Sequence, residues 1–248
     1  MSETEYTRSG SHPQTENREL TTDNLKSDDK GWSGFHALLM WGFGVFILIS
    51  FSYLSVLNEW LARIIIELLI GLTPVLLVLA FFNKRFNDLG LMKPSLKEAL
   101  IGLGFGLIGV VAGILAFYLE ILIFGGYPPG YLDFQLKFTP FQLTDLLIWV
   151  AFSIMIVAPC EEIFSRGFIQ KGLENSGGVV FGLIAASILF GLIHLEPFRI
   201  FPNTLQGFTL GAAYICSKSK TSVSIIAHAV LNTLIFILMY IFPFYFGL

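Results

Sequence analysis

Ala158-Pro159-Cys160-Glu161-Glu162-Ile163-Phe164-Ser165-Arg166-Gly167 places two adjacent carboxylates and an arginine inside an apolar run reaching from 144 to 170. Ionisable side chains in hydrocarbon are expensive unless they are paired or face a wet cavity, so in such a run they mark function. On a helix, Glu162 and Arg166 are four residues apart and share a face, which suits an ion pair. Glu161 points about 100° away from that pair and has no local partner. One carboxylate is therefore read as structural and the other as available for chemistry.

The surrounding composition sets the class. Hydrophobic residues make up 54% of the 248 and charged residues 13%, with a mean hydropathy of +0.73. Several apolar runs reach the roughly 20 residues that a helix needs to cross a bilayer. The expected fold is all-α: a polytopic transmembrane helical bundle with spans at 35–57, 60–82, 98–124, 144–170, 178–195, 202–216 and 222–246. Residues 1–31 differ, with seven acids, four bases and almost no large apolar group. They are expected to form a disordered cytoplasmic tail. Residues 32–248 then form one transmembrane domain whose motif-bearing core covers about 140–240. Cys160 and Cys216 both lie in apolar segments and give no disulfide framework. No phosphate-cradling glycine loop and no basic surface suited to nucleic acid is found.

Orientation follows from the bases. The tail and the connections with Lys84, Arg85, Lys93, Lys97, Arg166, Lys171, Lys218 and Lys220 hold twelve of the fifteen, against Arg63, Lys137 and Arg199 on the other side. By the positive-inside tendency the N-terminus is cytoplasmic. Arg63 and Glu67, four apart, are expected to pair near the external interface, and Glu120 and Asp145 to reach water at external helix ends.

Two further pairs occur at helical spacing within the spans. Phe190-Gly191-Leu192-Ile193-His194 sets an aromatic one turn before a histidine, and His228-Ala229-Val230-Leu231-Asn232 an amide one turn after another. Lys171 to Gly178 must turn the chain between two spans. Glu161 precedes Gly177 by sixteen residues and His194 follows it by seventeen. An antiparallel hairpin thus brings both to one height, about 24 Å from the turn at ~1.5 Å per residue. The expectation is a polar catalytic cavity beneath the cytoplasmic face, open toward that side. A carboxylate in low dielectric can act as general base on water. A histidine can orient that water, and histidine and amide donors can stabilise a developing oxyanion.

The Glu-Glu-x-x-x-Arg, Phe-x-x-x-His and His-x-x-x-Asn motifs, in this order on late spans, resemble the CAAX protease and bacteriocin-processing (CPBP, or Abi) family of intramembrane proteases. The resemblance covers about residues 140–240. It implies an endopeptidase in which Glu161 activates water, His194 assists it, and His228 with Asn232 stabilises the tetrahedral intermediate. Glu162 and Arg166 would hold the motif helix, with Phe190 as the aromatic before the first histidine. Implied partners are the bilayer and a peptide or membrane-protein substrate, with or without a lipid, and the implied location is a bacterial plasma membrane.

Glu161, His194 and His228 could supply three zinc ligands. The zincin His-Glu-x-x-His motif is absent, however, and an asparagine amide is a poor zinc ligand and a good oxyanion donor, so a cofactor-free reaction is favoured over zinc. Two non-proteolytic readings compete. An ion-coupled transporter also uses intramembrane Glu and His, but it predicts internal repeats that the chain lacks. A membrane immunity or scaffold protein would keep the fold without turnover.

Overall fold

Helices long and apolar enough to cross a membrane form wherever the sequence carries its apolar runs. The computed structural model describes residues 31–56 and 58–243, apart from the side chains of Leu54 and Val56. The predicted disorder of the tail and the last residues of the 222–246 span fall outside them. Nine α-helices are described: α1 (Gly34–Ser52), α2 (Glu59–Phe81), α3 (Leu96–Phe124), α4 (Tyr131–Leu136), α5 (Leu143–Phe152), α6 (Ala158–Glu162), α7 (Lys171–Leu192), α8 (Ile200–Cys216) and α9 (Thr221–Ile241). No strand occurs among the described residues.

Five helical segments meet the length and hydropathy of a membrane span: Gly34–Ser52, Glu59–Phe81, Leu96–Phe124, Leu143–Leu192 and Thr221–Ile241. The fourth holds two of the predicted spans, because the helix continues through the polar tip and breaks only at Gly178, where φ is +84° and only glycine is unstrained. α8, with 17 residues, is too short to qualify. Leu100, Leu103, Leu107, Val111, Leu115 and Leu122 line one exposed face of α3, as expected of a surface that meets lipid. Its other face carries glycines that admit neighbouring backbone. A Cβ on Gly102 or Gly106 would stand 2.8 and 2.6 Å from the Val223 and Ala227 carbonyl oxygens of α9.

One end of the bundle is sealed. Trp32, stacked on Phe168 at 5.0 Å, donates its indole N–H to the Phe168 carbonyl at 2.6 Å. The Gly34 amide donates to Ser176 Oγ at 2.8 Å. The turn Phe86–Leu89 wedges in beside them: Leu89 is fully buried, and its carbonyl accepts from Thr221 Oγ1 at 2.6 Å. Ser95 and Glu98 cap α3 reciprocally, and Lys220 reaches Glu98 at 2.7 Å. This end carries Lys84, Arg85, Lys93, Lys97, Lys171, Lys218 and Lys220. Arg166 does not add to that surface charge, because it is buried in the interior.

The hairpin predicted about the tip is present. Trp41 of α1 donates to the Leu189 carbonyl at 2.9 Å, and Gly44, one turn further on, meets both Phe164 and Ile193. The two limbs thus keep level from the tip to the motif. The helix ends at Leu192, earlier than the predicted 195, and Leu195 has a φ of +55°. His194 accordingly sits in the turn just beyond the helix, not on it.

Candidate active site

Between α5 and α7 the chain forms π-helical turns, with backbone hydrogen bonds five residues apart, at Ser153–Val157 and Ile163–Gln170, flanking the short α6. Such π turns inside α-helices recur at functional sites. Nothing in the residue spacing announces them, because they reflect packing of the two neighbouring helices. α2 and α6 approach closely here: a Cβ on Gly71 would lie 2.8 Å from Cys160 Cα.

Glu162 is the joint of the site. Its Oε1 accepts from Arg166 Nη1 at 3.1 Å and from His228 Nδ1 at 2.8 Å, and all three side chains are buried. Arg166 Nη2 donates to the Gly207 carbonyl at 2.7 Å, and its guanidinium lies 4.5 Å over the Phe190 ring. Phe190 in turn sets its ring against both histidines, 5.0 Å from His194 and 6.0 Å from His228. The three motifs are therefore one cluster: α6 through α9 are tied together by a paired charge and an aromatic wedge. Breaking such a buried pair by removing one partner destabilises by about 3–5 kcal/mol.

The histidine tautomers follow from these partners. His194 Nδ1 lies 2.7 Å from the Phe190 carbonyl, which can only accept, so Nδ1 carries the hydrogen and Nε2 keeps its lone pair. That bond also satisfies a carbonyl left open by the end of α7. His228 Nδ1 faces a carboxylate and likewise donates. Its Nε2 can then donate only when the ring carries a second proton.

Glu161 contrasts with Glu162. It forms no hydrogen bond or ion pair with any described residue and lines a cavity of about 500 Å³. His194, His228 and Asn232 line the same cavity. All four predicted catalytic residues, and Phe190 beside them, are thus brought to one space. The cavity is a well with its floor at Phe164, Ser165, Leu210 and His228. From there it rises past Asn232 and Phe236 on α9 and past Glu67 and Arg63 on α2, to Ser52, Ser55, Glu59 and Lys137.

This corrects the expected opening. The mouth lies at the end opposite the lysine-rich one, not toward the face read as cytoplasmic, because aromatic packing around Trp32 and Phe168 plugs the hairpin tip. Two further expectations fail. Arg63 pairs with Glu59 at 2.6 Å and lies 4.3 Å over Phe138, so Glu67 is left inside the well. Glu120 is buried, and its Oε2 has no partner, although it was expected to reach water. Glu67 is the functional candidate that the sequence reading missed. Its signal was present, as an acid at mid-span beside an arginine that had a second acid, Glu59, one turn away.

Among the described residues no group of three or more His, Cys, Asp or Glu is placed to hold a metal ion.

Fold and site together define a helical membrane protein with a polar well at mid-depth. Residues 143–234, which hold every motif of the site, match the family model described as type II CAAX prenyl endopeptidase Rce1-like. Over these residues the chain is similar to that family, in line with the CPBP family that the motifs resemble. No curated protein and no solved structure matches the chain.

Proposed function

We propose that the protein is an intramembrane endopeptidase that hydrolyses an amide bond with water activated by Glu161. The observation that carries this reading is the unpaired Glu161 carboxylate, sharing a closed-bottomed well with two histidines and an asparagine. Water held between Glu161 and the unprotonated Nε2 of His194 attacks the scissile carbonyl carbon, and its proton passes to Glu161. The carbonyl oxygen becomes an oxyanion that accepts from the Asn232 amide and from Nε2–H of charged His228. Collapse breaks the C–N bond, and the amine leaves with a proton supplied inside the well. Glu162 and Arg166 take no part in bond making; they fix the ring of His228.

No step is assigned to zinc, and a chelator is expected to leave turnover unchanged. The upper walls, with Ile66, Trp149, Phe152, Ile235, Phe236 and Met239, suit a peptide or membrane-protein segment whose cleavage site is flanked by apolar side chains or by a prenyl group such as the family description names. With the tail and lysine-rich end in the cytoplasm, the mouth faces the outside, and the substrate reaches Glu161 from that side.

The test is hydrolysis of a fluorogenic peptide library by detergent-purified protein, wild type against Glu161→Gln. Cleavage by wild type and a loss of at least about 10³-fold in the variant is expected. Equal cleavage by both, or by neither, contradicts the peptidase reading.

A further inference from the structure

Glu67 is a second acid in the well that the motif residues do not account for. It lines the cavity with Glu161, and its Oε2 is buried without a partner. It forms no ion pair with any described residue, since Arg63 is taken by Glu59 and by the Phe138 and Trp149 rings. The helix register sets its place. α2 and α6 run in the same direction and touch at Gly71 and Cys160. Glu161 follows Cys160 by one residue, while Glu67 precedes Gly71 by one turn on the side of the mouth. The two acids therefore stand on adjoining walls about five residues, ~7.5 Å, apart in height. The charged and titratable groups around Glu67 are Arg63 and Glu59 on its own helix, Cys160 and Glu161 on α6, Arg166 beyond them and Lys137 at the mouth. Leu48 and Ser52 of α1 and Ser55 just beyond it, which line the cavity too, carry no charge.

We infer that Glu67 is the acid that protonates the leaving amine. This inference rests on the peptidase reading and supplies the proton which that reading leaves unassigned. As the C–N bond of the tetrahedral intermediate breaks, the electron pair goes to nitrogen and the proton of the Glu67 carboxyl is transferred to it. Glu161 has by then gained a proton from the attacking water. Its transfer to Glu67 through water in the well restores both acids, so that one water is consumed and one acid and one amine are released.

The mechanism makes a demand that a structural role does not. Protonation is essential for an amine leaving group and dispensable for a good alkoxide or phenolate one. The experiment compares a fluorogenic peptide cleaved by wild type with the same peptide carrying an activated ester at the scissile bond. Glu67→Gln is expected to lose about 10²-fold or more in kcat on the amide and less than about 5-fold on the ester. Glu67→Asp is expected to recover part of the amide activity, and Glu161→Gln to lose both substrates. Amide hydrolysis by Glu67→Gln at the wild-type rate, or equal losses on amide and ester, overturns the role of Glu67 while leaving the peptidase reading standing. Hydrolysis of neither probe by wild type overturns both.

Discussion

At its lysine-rich end the bundle is tied shut, and at the other it is left open. The closed end spends its polar groups on one another: Trp32 on Phe168, Gly34 on Ser176, Thr221 on Leu89, Lys220 on Glu98. In the well that opens at the other end, Glu67 Oε2 is buried without a partner, and Glu161 makes no hydrogen bond or ion pair with a described residue. Adjacent residues fall on either side of this division. Glu162 belongs to the closed half, its Oε1 held by both Arg166 and His228, while Glu161 belongs to the well. In a chain with 13% charged residues, an acid without a partner is costly to keep, so the difference separates what holds the fold from what does the chemistry.

That division can be broken from either side. The largest loss of stability is expected from Glu162→Ala or Arg166→Ala, which strands a buried charge: about 3–5 kcal/mol, read as a lower unfolding temperature in detergent. Wild-type melting of either variant would mean that the pair is not the joint of the bundle. Next comes Asn232→Ala on the well side, with kcat down about 10²–10³-fold and melting unchanged. A loss confined to KM would remove Asn232 from the oxyanion site. Gly71→Leu forces α2 off α6 at Cys160 and should destabilise by about 1–3 kcal/mol. It should also lower activity by shifting the two acids, and an unaffected protein would show that the helices have room to part. The smallest effect is expected of Thr221→Val, which removes one bond of the closed end: about 1 kcal/mol of stability with activity retained. Lost activity in a stable Thr221→Val protein would show that the seal reaches into the catalytic half.

Much of this division is legible in the residues themselves. The i, i+4 spacing of Glu162 and Arg166 gave the ion pair, and the counts on either side of Gly177 gave the level meeting of Glu161 with the 193–194 turn. The His228–Glu162 bond was not legible, because it joins helices 66 residues apart and no local pattern encodes it. The opening of the well was misread for a related reason. Charge and turn residues mark the hairpin tip as wet, but the tip is plugged by Trp32 and Leu89, which come from distant parts of the chain. Glu67 was hidden by a local rule. Arg63 has acids one turn away on both sides, and spacing alone does not choose between Glu59 and Glu67. Stacking on Phe138 and Trp149 turns the arginine toward the mouth and leaves Glu67 behind.

The direction from which Glu161 can be reached tests the division most directly. In a background with Cys160 and Cys216 replaced by serine, Glu161→Cys, Ser55→Cys and Ser176→Cys would each be treated in intact cells with a small, charged, membrane-impermeant thiol reagent. Labelling of Ser55→Cys and Glu161→Cys from outside, with Ser176→Cys reacting only after permeabilisation, is the predicted result. Labelling of Ser176→Cys from outside while Glu161→Cys and Ser55→Cys stay protected until the cells are opened would contradict it.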